Sequence, residues 1–148
     1  MMHKSHLAIL GDEQTFNQTN GAIWQKAIAA HISLKPGSTI ALSNFAVEGA
    51  TTATLLALQL PKLHELKPDY VAVQIGYRDI LDGFDESYYH ARIVELFDAL
   101  QELIPNPKHV LITSIIGPGL DEELLDMCNQ AAKNAAQLRG FTWIDVDY

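Results

Sequence analysis

The chain has 148 residues, 48% of them apolar, with ten basic and eighteen acidic side chains and a formal charge of −8. That length suits one domain over 1–148 with a full core. An acidic chain without a clustered basic face is a poor partner for nucleic acid or for an anionic membrane. Cys128 is the only cysteine, which rules out disulfides and Cys-based zinc sites within one chain. No apolar run approaches the span of a membrane helix, and Met1 to His6 is too brief for a signal peptide. The expectation is a soluble, cytoplasmic protein.

His6 to Leu10 reads as a first strand, opening into Gly11-Asp12-Glu13 and a polar loop that runs to Gly21. Ala22 to His31 has apolar residues at helical spacing (Ile23, Trp24, Ala27, Ile28). Pro36-Gly37 breaks the chain before strand two, Thr39 to Ser43. After Gly49 a helix runs from Thr51 to Leu66, with Pro61 expected to kink or divide it. Lys67-Pro68-Asp69 turns into strand three, Tyr70 to Ile75, which Gly76 ends. Asp85-Glu86-Ser87 starts a helix that continues to about Ile104, where Pro105 and Pro107 stop it. His109 to Ile116 is strand four, Asp121 to Leu138 a helix closed by Arg139-Gly140, and Phe141 to Val146 strand five.

Apolar strands alternating with helices predict a parallel sheet covered on both faces. Right-handed crossovers make this a flavodoxin-like, three-layer α/β/α sandwich of five strands in the order 2-1-3-4-5. Ligands in such folds bind beyond the C-terminal strand ends. Those ends carry Asp12 and Glu13, Asn44 to Gly49, Gly76 to Asp79, and Gly117 to Gly119.

Several chemistries can be weighed against that edge. Gly11 and Gly21 are the only glycines of the first loop, so neither a dinucleotide nor a P-loop fingerprint is present. Thr15, Asn17, Thr19 and Asn20 faintly suit an FMN loop, but a solvated loop explains them. Asp12 and Glu13 suit a phosphoacceptor domain, yet Gly76 stands where strand three would need an Asp. The six histidines lack metal-ligand spacing. No metal or cofactor is expected. Asp79, Asp82, Asp85 and Glu86 read as a solvated loop with helix-start acids, His90 as a helix-surface residue, and Cys128 as core.

The distributed blocks carry more information. Gly11-Asp12-Glu13 ends strand one, Asn44 to Thr52 follows strand two, and Lys67-Pro68-Asp69 leads strand three into Gly76-Tyr77-Arg78-Asp79. Asn129 in the last helix precedes Trp143-Ile144-Asp145. In order and spacing the chain resembles the SGNH (GDSL) hydrolase family over nearly its whole length. The family blocks read Gly-Asp-Ser, a lone Gly, Gly-x-Asn-Asp, and a late Asp-x-x-His, on a flavodoxin-like sandwich. The resemblance implies acyl-ester hydrolysis by a serine nucleophile, a histidine base and an oxyanion hole.

Carried over position by position, the serine falls on Glu13, the oxyanion Gly on Gly49 and the oxyanion Asn on Arg78. The Asp-x-x-His block falls beyond Tyr148. The resemblance therefore implies a degenerate member without serine esterase activity, whose cleft (Asp12, Glu13, Asn44, Gly49, Gly76, Tyr77, Arg78, Asp79) binds a small molecule or a protein. Serine and Asn face each other in the family, so Glu13 and Arg78 are expected to form a salt bridge, with independent exposure to solvent as the alternative. An enzyme of altered mechanism, with Glu13 as general base on water and Arg78 stabilising negative charge, is the competing function. The family's closing helix would leave an apolar strip if missing, which implies a homodimer or a partner chain.

Overall fold

The computed structural model of the protein describes residues 4–12, 28, 32, 39–83, 85–115, 117 and 119–146. Five parallel strands form one sheet: β1 (Lys4–Gly11), β2 (Thr39–Asn44), β3 (Tyr70–Gln74), β4 (Val110–Thr113) and β5 (Thr142–Ile144). Their order is β2-β1-β3-β4-β5, as the strand–helix alternation predicts. Because both faces of the sheet are covered, β3 and β4 are buried at every residue, which is why they read as unbroken apolar runs.

Successive side chains go to opposite faces. Ala8, Leu10, Val71, Val73, Val110 and Ile112 belong to a large cluster on one face. Leu7, Ile9, Tyr70, Ala72, Leu111 and Ile144 make a smaller cluster on the other, joined by Ile28 and, partly buried, Ile32. Ile28 is the described part of the predicted helix over Ala22–His31; it is helical and buried, and the remainder lies outside the described residues.

The larger face is covered by α1 (Thr52–Thr54), a π-helical turn (Leu55–Gln59), α2 (Leu60–Leu66), α4 (Glu86–Leu103) and α5 (Glu122–Leu138); a short helix, α3 (Tyr77–Leu81), stands between β3 and α4. Thr51 and Thr54 form a reciprocal capping box at the start of α1. Asp85 and Asp121 cap α4 and α5 by accepting the N–H of Tyr88 and Leu124. Pro61 lies in the first turn of α2, directly after the π turn in which Leu60 N–H bonds Leu55 O. Proline has no N–H to give the preceding turn, so the regular helix divides here, as its position predicts.

Between α4 and α5, Phe97 meets Phe141 edge-on with ring centres 5.6 Å apart, and Arg139 reaches Asp98 at 2.7 Å. Gly140 adopts φ +75° behind α5. One expectation needs correction. The stretch Tyr77–Leu81 is helical, and Asp79 within it is partly buried, so the acidic run from Asp79 is not a purely solvated loop. Its burial reflects a specific acceptor role, described below.

Among the described residues, no helix is long and apolar enough to cross a membrane.

Candidate functional site

Register places the ends of three strands at one level. Ile9 pairs with Asn44, and Gly11 with Gln74. The chain leaving β2 stays hydrogen-bonded to β1, since Phe45 N–H donates to Ile9 O (2.8 Å) and Val47 N–H to Gly11 O (3.1 Å). The sheet edge therefore continues as a tied pair of loops around the cleft.

At the end of β1, Asp12 is fully buried. Glu13, and with it one half of the expected bridge to Arg78, lies outside the described residues. Asn44 is exposed, and its Oδ1 accepts from Ala46 N–H at 3.0 Å, so its side chain shapes the turn after β2. Gly49 holds φ +80°, with open space where a Cβ would stand. Its requirement for glycine is conformational.

Gly76 is constrained more tightly. It has φ +133°, and a Cβ there would collide with Ile115 Cδ1 and lie 3.0 Å from Cys128 Sγ and 3.1 Å from Tyr89 Oη. Tyr77 is partly buried against the larger core cluster. Arg78 is partly exposed, with its Nε 3.5 Å from Asp82 Oδ1, one turn on at the C-cap of the same short helix. Solvent screening keeps such an i,i+4 pair weak.

Asp79 crosses to the next loop. Thr52 N–H donates to its Oδ2 at 3.1 Å and the Thr52 hydroxyl to its Oδ1 at 2.9 Å. Thr52 is the first residue of α1, whose N–H has no intrahelical partner, so Asp79 serves as a cap supplied from another loop. Burial pushes the Asp79 carboxyl above its usual range; the bonds from Thr52 pull it down, and Asp82 nearby adds to the rise.

Two buried polar groups beneath the cleft, Gln59 and Tyr89, were not singled out by the sequence reading. Gln59 is 1% exposed, and its amide grips the backbone of Gly11: Gly11 N–H donates to Oε1 (3.0 Å) and Nε2 donates to Gly11 O (2.8 Å). The available signal was its spacing, since Leu55, Gln59 and Leu63 lie four apart on the buried face of an apolar helix. Tyr89 is 1% exposed and donates to Ile75 O at 3.3 Å. Its phenol, pushed well up by burial, is hydrogen-bonded with the Cys128 thiol, which burial raises to about 12. Cys128 is thus inert core, as expected from its place mid-helix. Asn129 clasps Ile115 through both amide atoms (2.7 and 3.1 Å) and fixes the loop after β4.

Replacing Tyr89 by Phe should cost about 0.5–1.5 kcal/mol of stability, the net worth of a buried hydrogen bond, read as a lower urea midpoint at unchanged slope. A loss near zero would show that the hydroxyl contributes nothing to holding Ile75 and Cys128.

The structure thus brings Gly11, Gly49, Gly76, Arg78 and Asp79 to one sheet edge, with Asp12 buried at the end of β1. Among the described residues, no group of three or more His, Cys, Asp or Glu side chains could hold a metal.

Residues 9–148 match the model of the GDSL-like lipase/acylhydrolase family. The chain belongs to that family. No curated protein sequence matches the chain closely enough to be a recognisable relative.

Solved structures share the GDSL-like fold at low identity. Axe2, an acetylxylan esterase from Geobacillus stearothermophilus, superposes with TM-score 0.76 at 18% identity, over 95% of this chain and 75% of that one. LAE5, an alpha/beta hydrolase enzyme from the metagenome of Lake Arreo, gives 0.73 at 19%, over 97% and 77%. A lipase/acylhydrolase from Enterococcus faecalis gives 0.70 at 16%, over 96% and 76%. At these identities the likeness is one of fold, and the chemistry of this GDSL-like chain rests on its own residues.

Proposed function

We propose that this GDSL-like protein has given up serine ester hydrolysis and uses the cleft at the ends of β1, β2 and β3 to bind a small molecule or a protein. The observation that carries the reading is a paired replacement. Glu13 stands at the position of the family's serine and Arg78 at that of its oxyanion Asn. Without a hydroxyl at the first position no acyl-enzyme forms there, and loss of a serine nucleophile typically costs ~10⁶ in rate.

What remains suits recognition. Gly49 and Gly76 keep the backbone close and open, Arg78 presents a partly exposed guanidinium, and Asp79 holds the loop that carries it. An Arg at this edge offers paired N–H donors to a carboxylate, whether that of Glu13 or that of a ligand. The altered-mechanism reading, with Glu13 as general base, fares worse: a carboxylate held by a guanidinium is a weakened base.

The test is a panel of short acyl esters, including acetylated sugars, run on the wild type and on Glu13→Ala. Both should match the buffer rate. Turnover that disappears in Glu13→Ala would overturn the proposal in favour of a carboxylate-driven hydrolase. In parallel, thermal shifts with small carboxylates, phosphates and sugars should find stabilising ligands whose effect is lost in Arg78→Ala.

A further inference from the structure

The helix behind the cleft touches it twice. Its first residue, Thr52, gives both its N–H and its hydroxyl to Asp79, in the short helix α3 that follows β3. Seven residues on, Gln59 closes the π turn and holds the N–H and C=O of Gly11, where β1 ends. The same Gly11 carbonyl accepts from Val47 N–H, in the loop after β2.

Gln59 thus binds Gly11 as a neighbouring strand would, with one acceptor and one donor, but through a side chain. A side chain can do so only if its height and rotation are fixed. Here the π turn fixes them: the wide turn inserts one residue ahead of Pro61 and rotates Gln59 in line with the buried positions Leu55 and Leu63. Packing alone would be met by leucine at this spacing. A buried amide whose oxygen and nitrogen are both satisfied by one peptide is instead a device for placing that peptide.

We propose that Gln59 is a positioning residue of the cleft: it sets where the chain leaves β1, and so where Asp12 stands relative to Arg78 and Asp79. The proposal does not depend on whether the cleft cuts esters or only binds, because it concerns the placement of the loop under either chemistry.

The test reads hydrogen exchange by NMR at Gly11 against Val73, a core amide of the adjacent strand, in the wild type, Gln59→Leu and Gln59→Glu. The ratio of the two rates removes effects of pH and of global stability. In Gln59→Leu the Gly11 amide should exchange at least about tenfold faster relative to Val73, because its opening becomes local. Gln59→Glu supplies a readout that packing cannot mimic. A protonated Glu can accept from Gly11 N–H and donate to Gly11 O as the amide does, whereas a carboxylate has no proton for that carbonyl. Burial and the facing carbonyl raise the pKa of such a Glu. The ionised carboxylate is repelled by the Gly11 carbonyl that it faces, so Gly11 should stay protected at acidic pH and lose protection as pH rises through that raised value, while the Val73 ratio in the wild type stays level.

If Gly11 and Val73 keep the wild-type ratio in both variants at every pH, Gln59 merely fills space and the proposal fails. Should Gln59→Leu not fold, Gln59→Glu below its pKa retains the native contacts and decides the matter alone.

Discussion

Alanine at position 76 is expected to destabilise the protein by about 2–6 kcal/mol, the sum of backbone strain at positive φ and overpacking of a filled core. Gly76 holds φ +133°, and its missing side chain is the space taken by Ile115 Cδ1, Cys128 Sγ and Tyr89 Oη. None of the three can retreat cheaply. Ile115 and Cys128 are almost fully buried, and the Tyr89 hydroxyl is tied to Ile75 O. The consequence extends to the cleft, since Gly76 is the residue from which α3 begins and so aims Arg78 and Asp79. Gly49→Ala is the internal comparison: its φ is +80° but nothing would meet the new Cβ, so only the conformational cost of about 1–2 kcal/mol applies. Urea unfolding of the two variants separates the effects. A Gly76→Ala loss no larger than that of Gly49→Ala would show that the crowding around Gly76 relaxes freely.

This contrast bears on what a single sequence reveals. Strand order and layering were legible because both faces of β3 and β4 are buried, which leaves an apolar run that period-2 amphipathic strands do not show. The division of the helix at Pro61 was legible because a missing N–H has one structural meaning in a helix interior. The glycines were visible as breaks, but their different reasons were not. Gly76 is demanded by neighbours far along the chain, Tyr89 and Cys128, and Gly49 by its own φ. Gln59 was overlooked because a polar residue in a Leu-rich helix counts by its type as surface, and only the partner 48 positions away reveals it as paired. The spacing of Leu55, Gln59 and Leu63 marks the buried face, but nothing local names the polar partner. Asp79 was misjudged for the same reason: in a run with Asp82 and Asp85 its acidity looks like solubility, until Thr52 appears beside it.

That pairing leads to an expectation for Asp79 that depends on pH. Thr52 is fully buried, and its N–H and hydroxyl both point at this carboxylate. Asp79→Ala removes a charge-assisted acceptor from both and should cost about 1.5–3 kcal/mol at neutral pH. Asp79→Asn should behave differently. Burial raises the Asp79 carboxyl above its usual range, so the folded state binds a proton more tightly than the unfolded chain does. In the interval between the unfolded and the raised folded value, the contribution of Asp79 to stability falls as pH rises, and above it the full penalty for the buried charge is in place. An amide at this position keeps one oxygen to accept from Thr52, and gives up the second acceptor, but it has no charge to desolvate and none to repel Asp82. The Asn variant should therefore lose less than Asp79→Ala at neutral pH, and its deficit against the wild type should widen on the acid side, where the wild-type carboxyl is protonated and carries no penalty. Measuring stability of wild type and both variants across the acid range decides it. Parallel pH curves for wild type and Asp79→Asn would show that Asp79 is solvated enough to titrate as it does in the unfolded chain, and that the hydrogen bonds from Thr52 alone hold the loops of the cleft together.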